Sequence, residues 1–122
     1  MVASPAYAEH PDHTIDVSPH EGRVTVRFAD RVVAETDRAL ELRETSHDPV
    51  LYVPREDCSA ELMEPSDRPT HCPFKGDARY WTLRAGDAVA RDAAWAYDEP
   101  FDQVAAIARH VAFYLDRVSI EA

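Results

Sequence analysis

Apolar residues in this chain recur at every second position in short runs, and each run is cut off within a few residues by a proline, a glycine or a polar turn. Val24, Val26 and Phe28 alternate with Arg23, Thr25 and Arg27, the period of a strand with one face buried. Ala29-Asp30-Arg31 makes a tight connection, and Val32 to Ala34 supplies the returning arm of a hairpin. Leu40 and Leu42 share one face of a further alternation. The polar stretch Thr45-Ser46-His47-Asp48-Pro49 then breaks the chain, and Val50-Leu51-Tyr52-Val53 forms another β-prone run closed by Pro54. Arg79 to Leu83, the turn Ala85-Gly86-Asp87 and the long run Ala88 to Tyr97 make the best hairpin in the sequence. Val118 to Ile120 reads as a short closing strand.

One segment carries the helical period instead. Phe101, Val104, Ala105, Ala108 and Val111 recur at three- and four-residue spacing behind Asp98, Pro100 and Asp102, which suit a helix start. Ser59 to Met63 fits either a strand or one helical turn, and Pro65 to Thr70 reads as loop. Residues 1–21 hold three histidines and three prolines without an apolar period, so a disordered N-terminal arm is expected there. The remainder, 22–122, is expected to be a single domain, mainly β with one helix in its C-terminal half. Its antiparallel hairpins suit a rolled sheet or small barrel. They do not suit a Rossmann fold, in which helices alternate with strands.

Composition narrows the functions available. The net charge of −10 repels phosphate backbones and anionic membranes, so neither nucleic acid nor membrane is expected as a partner. No run approaches the roughly 20 apolar residues of a spanning helix. The opening MVASPAYAEHPDHTID lacks a basic leader, and a cytoplasmic location is expected. With glycine only at positions 22, 76 and 86, no glycine-rich loop can cradle a phosphate. Cys58 and Cys72 are expected as free thiols.

Four segments hold residues capable of chemistry. Glu44-Thr45-Ser46-His47-Asp48 offers an imidazole with flanking carboxylates, although the same residues make an ordinary turn. In Tyr52-Val53-Pro54-Arg55-Glu56-Asp57-Cys58, Arg55 is an anion fork unless its acidic neighbours consume it. Thr70-His71-Cys72-Pro73-Phe74-Lys75-Gly76-Asp77 places an imidazole, a thiol and an ammonium close to a glycine that lets the backbone approach a ligand. Ala93-Ala94-Trp95-Ala96-Tyr97 sets Trp95 and Tyr97 on one strand face, where they wall a pocket or fill a core layer. A mononuclear metal set of Cys58, His71 and Cys72 is arithmetically available but lacks metal-ligand spacing.

These blocks together resemble the DUF427 domain proteins, a family that also bears a nucleotidyltransferase-like label. The resemblance rests on Glu44 to His47, Tyr52 to Asp57, Thr70 to Ala78, Tyr80-Trp81, Ala93 to Tyr97, and Ile107-Ala108 leading into Val111 to Tyr114. It runs from about Gly22 to Ile120. It implies a compact, strand-rich fold similar to a β-tent or small barrel with a helix. It also implies that Glu44, Tyr52, Arg55, Lys75, Trp95 and Tyr97 face a shared cleft. Alanine stands at position 93, where members often carry asparagine, so no amide is on offer there.

The expected function is binding of a small anionic or nucleotide-like ligand in that aromatic-lined cleft, with catalysis left open. A non-enzymatic interaction domain, a homodimer among its forms, is the alternative from a different class. A metal or thiol site at Cys58, His71 and Cys72 is the third.

Overall fold

The computed structural model describes residues 2–122 and resolves the alternating runs into two antiparallel sheets. The N-terminal part holds a helical turn, α1 (Ala6–Glu9), and strand β1 (Ile15–Pro19). Next come β2 (Val24–Phe28), β3 (Arg31–Thr36), β4 (Leu40–Glu44) and β5 (Val50–Pro54). After two 3-10 turns the chain forms β6 (Met63–Pro65), β7 (Thr70–Cys72), β8 (Gly76–Ala85) and β9 (Ala88–Ala96). A 3-10 segment, Asp102–Ile107, precedes β10 (His110–Phe113) and β11 (Ser119–Glu121). The larger sheet runs β1-β4-β5-β10-β9-β8-β6, with β7 also paired to β8; the smaller runs β11-β2-β3. Both sheets have free edges, so the rolled arrangement does not close into a barrel. No helix among the described residues is long and apolar enough to cross a membrane.

The period-2 pattern explains the layering. Val53, Trp81, Leu83, Ala94, Val111 and Phe113 of the larger sheet pack against Val24, Val26 and Val33 of the smaller one. Residues of the opposite register, Leu42, Tyr52, Tyr80 and Ala112, join Tyr97, just beyond β9, on the other face, where Val104 and Ile107 of the 3-10 segment cover part of them. Both faces of the larger sheet are therefore largely buried, and its central strands carry apolar side chains on each side.

Two expectations need correction. The first 21 residues are not an unstructured arm: Ile15 to Pro19 pair antiparallel with Glu44 to Leu40. Ile15 and Val17 pack on the same face as Leu42. Only two apolar positions mark this strand, too few to show a period in sequence, and pairing with β4 supplies the rest. The helical segment exists but is shorter than its spacing implied. It is a six-residue 3-10 run that departs from helical geometry at Val104, and it ends before Arg109, whose φ is 59°. Val111 lies in a strand, between Val53 of β5 and Ala96 of β9. A central position in a sheet, with ladder bonds on both sides, outweighs the helical preference of the alanines around it.

Leu83 is fully buried between the sheets. Leu83→Ala is expected to cost about 2–5 kcal/mol in urea unfolding, whereas Leu115→Ala, at a side chain 71% exposed, is expected to change stability by less than about 0.5 kcal/mol.

Candidate functional site

The face of the larger sheet that looks away from the smaller sheet is only partly covered, and a cavity of about 390 Å³ opens beside the 3-10 segment. Aromatic side chains of neighbouring strands wall this hollow. Trp95 of β9 pairs with Tyr80 of β8 on one side and with Ala112 of β10 on the other. Ala112 is fully buried, and Trp95 lines the cavity with Tyr52 of β5. Their rings stand edge to face with centroids 6.5 Å apart. Tyr114, just beyond β10, tilts against Trp95 at 4.5 Å and extends the wall.

Charge enters from the ends of two strands. Glu44 closes β4 on the same face as Leu42. Lys75 sits in the β7–β8 turn, held by Lys75 N–H donating to Cys72 O at 3.2 Å and by Phe101 N–H donating to Lys75 O at 2.9 Å. Gly76 follows at φ +118°, where an added Cβ would meet Glu99 O at 3.4 Å, so the turn that aims Lys75 requires glycine. Lys75 Nζ donates to Glu44 Oε1 at 2.6 Å, and both side chains are about nine-tenths buried. Lys75 is the only lysine in the chain. His13 Nε2 meets the other carboxylate oxygen at 2.8 Å, while its ring stacks on Phe74 at 4.1 Å. The N-terminal segment thus straps the lysine turn, helped by Tyr7, whose hydroxyl donates to Phe74 O at 2.7 Å.

Burial alone would raise the Glu44 carboxyl, but hydrogen bonds from Lys75 and His13, with the lysine charge, hold it below its ordinary value. Burial pushes the Tyr52 and Tyr97 hydroxyls well above the usual phenol range, and the Glu44 charge adds to it. Both therefore stay protonated as donors. Tyr97 is 8% exposed and lines the cavity, yet its hydroxyl bonds to no other described residue.

Of the six residues expected to share a cleft, Glu44, Tyr52, Lys75, Trp95 and Tyr97 line this one cavity. Arg55 does not. It begins a 3-10 turn past β5, pairs with Asp98, and places its guanidinium 5.0 Å from the ring centroid of Trp81, which belongs to the layer between the sheets. Arg55 is thus consumed by a carboxylate more distant in sequence than its neighbours. Cys58, His71 and Cys72 are not gathered either. Cys58 packs against the inter-sheet core, His71 bonds Asp77 at 2.7 Å, and only Cys72 lines the cavity. Among the described residues no group of three or more His, Cys, Asp and Glu is placed to hold a metal ion.

Sequence reasoning missed His13, in the supposed arm, and Tyr114, beyond the supposed helix. The run Val111-Ala112-Phe113-Tyr114 was β-prone enough to have signalled the latter.

A family model described as "Domain of unknown function (DUF427)" matches residues 16–122. The chain belongs to this family. The match begins inside β1, so the DUF427 domain includes the strand that carries the strap and is longer at its N-terminus than the 22–122 span expected from sequence. No curated protein matches the chain.

The Lys75–Glu44 pair gives two predictions. Lys75→Met leaves Glu44 with His13 alone and is expected to cost about 3 kcal/mol, the low end for breaking a buried pair, measured by urea unfolding. Because Glu44 titrates below 4.5 when folded, its contribution is complete above that value and is lost as pH falls through the lower folded pKa. Glu44→Gln is therefore expected to be less stable than wild type at neutral pH, with the gap closing in acid.

Proposed function

We propose that this DUF427 protein binds a small polar ligand with a planar part, seated against Trp95 and Tyr52 with its polar edge at Lys75, Glu44 and Tyr97. The observation that carries the reading is the meeting of five side chains from four distant segments at one cavity of about 390 Å³, a size within the ordinary range for small-molecule sites. The mixture also fits: aromatic walls for a flat group, and a few converging donors and acceptors for orientation.

An anionic or nucleotide-like ligand is the form of this reading expected from the sequence. A base would use the aromatic faces, which favour any flat heterocycle. A phosphate or carboxylate would share Lys75 with Glu44, which already accepts from it at 2.6 Å.

Tryptophan fluorescence and thermal unfolding with adenine, adenosine, AMP, and ATP with Mg²⁺ test the proposal. Saturable binding is expected, with stabilisation of about 2.7 kcal/mol at a hundredfold excess over Kd, and Trp95→Ala should abolish it. Lys75→Met should weaken AMP more than adenosine if the anionic form holds. No saturable response to any of the four compounds would overturn the nucleotide-like reading.

A further inference from the structure

A second hollow, of about 240 Å³, begins where the aromatic cleft ends. Val50, Trp95 and Tyr114 line both. Beyond them the second hollow is walled by Pro49, Leu51, Phe113, Leu115 and Ile120, with no charged side chain among its lining residues. Leu51, Phe113 and Ile120 belong to the layer between the sheets. The groove therefore runs from the rim of the cleft to the seam where β11 meets the larger sheet. Tyr114 and Leu115 remain 38% and 71% exposed along it, an unusual place to leave two large apolar side chains adjacent in an acidic chain.

We infer that the ligand of the aromatic cleft is an amphiphile, with a polar, uncharged head at Glu44, Lys75 and Tyr97 and an apolar tail laid along Leu51, Phe113 and Leu115. This rests on the cleft being a ligand site, and adds which chemical class it takes. Two features select the class. Continuity through Trp95 and Tyr114 joins one wall that hydrogen-bonds to another that cannot, so a molecule reaching both must be polar at one end only. The Lys75–Glu44 pair is neutral as a unit and nine-tenths buried, so a neutral head that donates and accepts leaves the site balanced, whereas a charged head adds a net charge to it. Tyr97, protonated and without a protein acceptor, supplies the donor such a head would accept from.

Benzamide, 4-butylbenzamide and 4-butylbenzoate separate the parts, with binding read by tryptophan fluorescence and calorimetry on the full chain. The butyl group is expected to tighten benzamide binding by about tenfold or more, and the benzoate to bind more weakly than the matching amide. Leu115→Glu, at an exposed position, should remove the gain from the tail and leave benzamide itself unchanged. If benzamide binds but the butyl group adds nothing, or Leu115→Glu leaves the gain in place, the groove is not a tail site and the inference fails while the cleft reading stands. If the benzoate binds tighter than the amide, the neutral head fails. If none of the three compounds binds, the inference fails together with the cleft. A concentration-dependent dimer by light scattering, dispersed by Leu115→Glu, would instead assign the groove to a second copy of the chain.

Discussion

The larger sheet is covered on both faces by different things, and the rest of the molecule follows from that asymmetry. On one side the smaller sheet lies flat against it and fills the space with valine, leucine and alanine. On the other the cover is chiefly a six-residue 3-10 segment, too short to span eight strands. It covers part of this face and leaves a cavity lined by Tyr52, Tyr80, Trp95 and Tyr97. A cleft is what remains when a sheet with apolar side chains on both faces receives only part of a second layer.

The polar wall of that cleft depends on a buried ion pair assembled from three places. β4 delivers Glu44, the glycine-dependent turn before β8 delivers Lys75, and the segment before β1 delivers His13 and braces Phe74. Removing any of these leaves a charge with fewer partners in a site where water cannot fully compensate. The segment before β1 is thus a structural part of the site, and it precedes the family match, which begins at residue 16. The same pairing shapes what the cleft can accept, because the only lysine in a chain of net charge −10 is already neutralised.

Much of the fold was legible because it is local. Val24-Thr25-Val26 alternates, Ala85-Gly86-Asp87 turns, and Val50 to Val53 carries the β-branched and aromatic residues that a pleated surface prefers. Where the reading failed, non-local pairing decided. Ile15 and Val17 are too few to announce a strand and become one by laddering onto β4. Val111 has helical neighbours and is a strand because β5 and β9 stand on either side of it. Arg55 looked free in sequence beyond Pro54, but Asp98, 43 positions away, takes its guanidinium and draws it to the opposite face from Trp95.

The sequence by itself determined the β class, the hairpins and, through the blocks it shares with its family, five of the residues that line the cleft. Short-range alternation and turn chemistry are enough for that, since they depend on neighbours along the chain. Only the tertiary structure decided that Lys75 spends its charge on Glu44, that His13 joins them, and that an apolar groove continues from Trp95. Those facts depend on which strand lies beside which, and on a cover that stops short, neither of which any local pattern encodes.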